Sequence, residues 1–162
     1  MRFLKSLKSA ARGILFCINQ ERHMRFHTVA AFYTLLFSPF FELDRPGYAT
    51  LLLAIGSVLA AEVFNTAAEA ACDIENSAYN RGVRLIKDMA AGAVLMSAAF
   101  AAGVGLCLFA KPACIAAGWF WLCARPWLLL LLGLSAAAAF FYVRLGPGPL
   151  WRKLRALFGG KG

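Results

Sequence analysis

The chain has 162 residues, 61% of them hydrophobic and only 15% charged, with a formal charge of +9. Its mean hydropathy of +0.66 is too apolar for a soluble domain, where apolar content runs at about 45–50%. The basic residues flank apolar segments and form no aromatic-interleaved patch, so they point to membrane orientation and not to nucleic acid.

In chain order, residues 2–17 predict an amphipathic helix lying in the headgroup region. Phe3, Leu4, Leu7, Ala11, Ile14 and Leu15 recur at helical spacing, opposite Arg2, Lys5, Lys8 and Arg12. No A-x-A cleavage site precedes an apolar run there, so the segment is not read as a signal peptide. The charged QERHMRFH leads into an apolar stretch through Phe41. That stretch is short for a hydrocarbon core of about 30 Å, so its helix should begin before the apolar run does. ELDRPG, 42–47, is a turn, and residues 48–73 predict a second long helix. ENSAYNRGVR, 75–84, reads as a loop, and a third helix runs from about Val83 to Ala110. A fourth apolar segment covers 127–143, with Pro126 suited to its first turn and Trp119, Trp121 and Trp127 marking an interface belt. GPGP at 146–149 breaks the chain. LWRKLRALF, 150–158, then predicts a second short amphipathic helix in a basic tail, with Leu150, Leu154, Leu157 and Phe158 on one side.

The expected fold class is thus an all-α integral membrane protein. Residues 1–110 would form the functional domain and 111–162 an extension with a fourth span and basic tail. Cys17, Cys72, Cys107, Cys114 and Cys123 show no C-x-x-C pairing and are odd in number, so zinc and a disulfide framework are not expected. They read as small apolar fillers.

Lysine and arginine counts set the orientation. Residues 1–27 hold six, 74–87 hold three and the tail from Arg144 holds five, against Arg45, Lys111 and Arg125 in the opposite loops. The positive-inside rule places both termini and the 74–87 loop in the cytoplasm, with four spans.

Residues 60–74, AAEVFNTAAEAACDI, carry four polar groups inside an apolar helix. At about 100° per residue, Glu62, Asn65, Glu69 and Asp73 fall within an arc of about 80°. A carboxylate at the bilayer centre costs roughly 2.5–3.5 kcal/mol on insertion scales. Lys87 and Asp88 begin the next helix at the same edge, and Glu21 and Arg25 enter the first span there. Structural glue is the bland alternative, but transmembrane hydrogen bonds average only about 0.6 kcal/mol. Carboxylates with an amide are hard oxygen ligands suited to Mg²⁺ carrying a phosphate-bearing substrate. A lysine neutralises phosphate charge, and a carboxylate accepts a hydroxyl proton during phosphoryl transfer. No G-x-x-x-x-G-K-[ST] loop and no soluble-kinase signature accompanies them.

Glu62-Val-Phe-Asn65-Thr-Ala-Ala-Glu69-Ala-Ala-Cys-Asp73, followed by Lys87-Asp88-Met-Ala-Ala-Gly-Ala-Val-Leu, resembles the prokaryotic diacylglycerol kinase/undecaprenol kinase family. Glu21-Arg22-His23-Met24-Arg25-Phe26-His27 resembles that family's segment before its first span, and the likeness covers about residues 2–110. The resemblance implies a small helical lipid kinase, homotrimeric, with sites shared between neighbouring subunits. It implies Glu62 as the general base on the lipid hydroxyl, and Glu21 and Glu69 as holders of the metal of Mg-ATP. Asn65 would orient that centre, Lys87 would bind phosphate, and Asp88 and Arg2 would contact the nucleotide. The chain departs from the family at Ala78-Tyr79-Asn80, where a Glu-Tyr-His run is common, and at Ala91, where some members have serine. Its segments at 21–27 and 90–95 resemble the undecaprenol-kinase branch more than the diacylglycerol kinases. A proton or ion translocator using Glu62 and Glu69, and a catalytically silent scaffold, are the competing classes. The extension shows no polar stripe and is expected to be accessory.

Overall fold

The computed structural model describes residues 2–74 and 81–148. Every element within them is helical: α1 (Arg2–Gln20), α2 (Arg22–Phe37) continued by a 3₁₀ turn (Ser38–Phe41), α3 (Arg45–Ile74), α4 (Arg81–Phe109), α5 (Pro112–Cys123) and α6 (Pro126–Leu145).

The breaks between helices have local causes. Glu21 holds an extended backbone (φ −97°, ψ 123°) between α1 and α2. Glu42 closes the 3₁₀ turn in the left-handed region at φ 48°. Asp44 then starts α3, its carboxylate accepting the Gly47 N–H at 2.8 Å, a helix-capping geometry. A Cβ at position 47 would stand 2.9 Å from that oxygen, so glycine permits the cap. Pro112 and Pro126 sit in the first turns of α5 and α6, where a missing N–H costs no helical bond.

The long helices α3 and α4 form an antiparallel hairpin. Cys72 Sγ lies 4.0 Å from the Val83 carbonyl at one end, and Leu108 approaches Gly47 at the other. α2 runs antiparallel to α3, with His27 beside Glu62 and Ser38 bonded to the Tyr48 hydroxyl. α6 packs antiparallel on the other side of α2 through Arg25 to Val143 and Tyr33 to Ser135. α5 covers the far end of α2, where Phe40 meets Trp121 edge-on and Lys111 Nζ donates to the Phe41 carbonyl. α1 crosses the opposite end and seats Cys17 on α3.

Very little of this molecule is a core in the soluble sense. Among the described residues the buried apolar side chains are Cys17, Met24, Leu51, Val58 and Cys72, and α4 buries none. Large side chains such as Leu53, Leu95, Phe100 and Leu106 point outward. Water would penalise such a surface, whereas hydrocarbon accepts it. Helices α3, α4 and α6 are each long and apolar enough to cross a membrane. The 16-residue α2 is short alone, as expected, and the 3₁₀ turn extends it to about 30 Å.

Two helix starts and one whole helix differ from expectation. α3 starts at Arg45 because Asp44 caps it, and α4 starts at Arg81, inside the stretch read as loop. α5 was foreseen only as an interface belt, since it is apolar all round and shows no amphipathic period. The expected tail helix at 150–158 lies outside the described residues.

Candidate functional site

On α3, the four-residue step from Glu62 to Thr66 places both on the face that meets α1 and α2. Glu62 is 2% exposed, the largest fully buried side chain among the described residues. Thr66 donates its hydroxyl back to the Glu62 carbonyl at 3.0 Å, and Cys17 Sγ lies 3.0 Å from Thr66 Oγ1. That three-residue contact closes α1 over the glutamate. From α2, His27 Nε2 approaches Glu62 Oε1 to 3.3 Å without hydrogen-bond geometry, so Oε1 has no hydrogen-bond donor among the described residues.

Burying a carboxylate oxygen with no donor costs free energy that packing alone does not return. A water, an ion or a ligand can complete the bonding of such a group. Glu21 and Glu69 lie close enough to Glu62 to act on it electrostatically, as does the His23 ring. The structure therefore gathers three of the sequence-predicted carboxylates within electrostatic range, from α3 and from the α1–α2 junction.

One turn along, Asn65 Nδ2 donates to Glu69 Oε1 at 3.0 Å. Asn65 Oδ1 is buried and has no hydrogen-bond partner among the described residues. Among the described residues no three His, Cys, Asp or Glu side chains form a set that could hold a metal by themselves. A bare amide oxygen beside a carboxylate is nonetheless a hard donor pair. It fits a divalent cation that takes its remaining ligands from phosphate and water.

At the end of the α3–α4 hairpin, Lys87 Nζ bonds Asp73 Oδ1 at 2.6 Å. The lysine thus pairs with the last member of the α3 stripe, not with its neighbour Asp88, which is exposed. Glu21 is half-buried, and its side chain caps no helix. Arg2 is the first residue of α1; its side chain, and Ala78-Tyr79-Asn80, lie outside the description.

Sequence reasoning missed several participants. His27 and Cys17 were seen, one as part of a motif and one as a filler, but neither was placed against Glu62. Arg25 was expected at the membrane edge, yet it is 6% exposed and bonded to two other helices. Periodicity reports which face a residue occupies, and no sequence signal reports what crosses that face.

A groove of about 390 Å³ opens between α2, α3 and α4. It runs from His27 to Phe109 along small residues that include Ala30, Ala54, Ala98 and Gly105. An almost wholly apolar channel therefore ends beside the buried carboxylate, a juxtaposition suited to placing the polar head of an amphiphile.

The sequence model of the prokaryotic diacylglycerol kinase family matches residues 8–109. The chain is 34% identical over 108 residues to a Bacillus subtilis protein named undecaprenol kinase, covering 67% of this chain and 88% of that one. It is 32% identical over 110 residues to a Synechocystis protein named diacylglycerol kinase, covering 67% of this chain and 63% of that one. No solved structure gives a significant match.

Proposed function

The chain belongs to the prokaryotic diacylglycerol kinase family and is a membrane lipid kinase, and we propose that it transfers the γ-phosphate of ATP to the primary hydroxyl of undecaprenol. The observation that carries the proposal is Glu62, buried and undonated at Oε1, beside the end of an apolar groove.

In this reading Glu62 accepts the proton of the lipid hydroxyl as it attacks phosphorus, which is the work of a positioned general base. His27, at 3.3 Å, restrains the carboxylate and lines the groove. Closure of α1 over Glu62 through Cys17 and Thr66 keeps bulk water from competing with the alcohol. Glu69, Asn65 Oδ1 and Glu21 would hold the divalent ion of the nucleotide, with Mg²⁺ as the natural choice for oxygen donors and phosphate. When bound, that ion neutralises developing phosphate charge. Lys87 offers a further positive charge to phosphate, and Asp88 and Arg2 are assigned to the nucleotide.

The substrate choice rests on shape. The groove is one apolar channel in which small residues alternate with Leu51, Ile55, Val58 and Leu59, which suits one long methyl-branched polyprenyl chain better than a pair of acyl chains. The match along 88% of an undecaprenol kinase supports the same choice.

We read residues 1–110 as the kinase domain and 111–162 as its extension, in a homotrimer with shared sites. The lack of a complete cation set among the described residues of one chain and the uncovered face of α4 favour that assembly. The meeting of α2's beginning with α6's end at Arg25 suits an even number of crossings, and the lysine and arginine distribution supports that side as the cytoplasmic one, in what we read as a bacterial inner membrane.

The test is a parallel phosphate-transfer assay on purified protein in mixed micelles, at equal mole fractions of undecaprenol and dioleoylglycerol. Undecaprenol should be phosphorylated faster. A clear preference for dioleoylglycerol overturns the substrate choice, and no transfer to either lipid overturns the mechanism.

A further inference from the structure

Arg25 joins three helices at one guanidinium. Its Nη1 donates to the carbonyls of Ile18 at 3.1 Å and Asn19 at 3.0 Å, both in the last turn of α1. Its Nε donates to the Val143 carbonyl at 3.2 Å, in the last turn of α6. Final-turn carbonyls have no intrahelical partners, and a cation there also meets the negative end of the helix dipole. A planar guanidinium reaches such divergent acceptors where an ammonium cannot. Gly146 completes the enclosure. It holds φ +69°, and a Cβ there would stand 3.1 Å from Arg25 Nη1.

Glu21 stands at the junction of α1 and α2, one turn before Arg25. Its N–H donates to the Cys17 carbonyl at 2.8 Å, and its carbonyl accepts the Arg25 N–H at 3.3 Å. The backbone that aims this carboxylate is therefore fixed on one side by α1 and on the other by the residue latched to α6. The stretch matched by the family ends at residue 109, so α6 lies wholly outside it.

We propose that α6 braces the nucleotide side of the site: through Val143 and Gly146 it fixes Arg25, and Arg25 fixes the α1–α2 junction that positions Glu21. Arg25 is a positioning residue and touches no substrate. The extension thereby sets the enzyme's affinity for metal-nucleotide and leaves the proton transfer at Glu62 alone. The proposal rests on the reading of Glu21 as a holder of metal-nucleotide.

The test is steady-state kinetics on the full chain in mixed micelles, varying Mg-ATP and lipid separately. Arg25→Gln and Gly146→Ala should each raise the KM for Mg-ATP about tenfold, the scale of a lost charge-assisted hydrogen bond. Both should keep kcat and the KM for lipid within about twofold. Arg25→Lys, which retains charge but not the fork, should show the same split at smaller size. Tyr33→Phe removes the bond to Ser135 at the other end of the α2–α6 contact and should leave the KM for Mg-ATP unchanged. A Mg-ATP shift in Tyr33→Phe equal to that of Gly146→Ala would mean general loosening of α6, overturning the brace. Unchanged KM in Arg25→Gln and Gly146→Ala, with a raised KM in Glu21→Gln, would also overturn it. An unchanged KM in Glu21→Gln alone would instead overturn the role of Glu21.

Discussion

Lys87 of α4 and Asp73 of α3 are joined at 2.6 Å across the hairpin of the two long helices. Both side chains are substantially exposed, at 39% and 70%, so the pair adds little to stability. What it does is hold a flexible ammonium on the same side as Asn65 and Glu69.

Lys87→Met should therefore raise the KM for Mg-ATP by about tenfold or more, the cost of a lost charged hydrogen bond to phosphate. Asp73→Asn should raise it less, because the lysine remains but is no longer oriented. Thermal unfolding in detergent should change little in either variant. An Asp73→Asn enzyme with unaltered nucleotide kinetics would show that the pair has no part in binding.

On the proposed mechanism, Glu62→Gln removes the proton acceptor and keeps the shape of a side chain packed under Cys17 and Thr66. The expected loss in kcat is about 10²–10⁴-fold, the range for a general base, with Mg-ATP affinity retained when measured by direct binding. Turnover near that of the parent enzyme would remove Glu62 from the role of base.

Glu69→Gln should behave differently. It takes a charged oxygen from beside the unpartnered Asn65 Oδ1, so the Mg²⁺ concentration for half-maximal rate should rise severalfold, in keeping with carboxylate ligation. Titrating Mg²⁺ at fixed ATP distinguishes this variant from Glu62→Gln, whose Mg²⁺ dependence should match the parent's.

Cys17 is 1% exposed, and burial, the largest influence on it, pushes its thiol pKa up. The thiolate is the reactive form, so folded protein should resist alkylation at Cys17, and its rate should still be climbing with pH where an ordinary cysteine has levelled off. Cys123, exposed at the end of α5, should react readily and from outside intact spheroplasts. Mass spectrometry of labelled peptides reads both outcomes. Rapid labelling of Cys17 at neutral pH would mean that α1 does not stay closed over Glu62.

The membrane class, the long helices and the polar stripe were legible in the sequence, for a physical reason. Hydrocarbon tolerates only apolar, internally bonded helices, so composition and length expose them. Glu62, Asn65, Glu69 and Asp73 stand out because each breaks that requirement on a single face. Helix ends were less clear. Asp44 moved the start of α3 through one side-chain bond to Gly47, and nothing periodic marks such a bond.

Which groups meet across helices was decided only by tertiary packing. A helical wheel fixes the face of Glu62, but the closure by Cys17 and the approach of His27 depend on how α1 and α2 cross α3. The same holds for Lys87, whose partner is Asp73 at fourteen residues' distance and not the adjacent Asp88. It holds most of all for Arg25 and Val143, separated by 118 positions. Side-chain chemistry and periodicity are local properties of the chain. The register of one helix against another emerges from the summed contacts of both, and that register makes a buried carboxylate, a groove and a latch out of residues whose separate identities show none of the three.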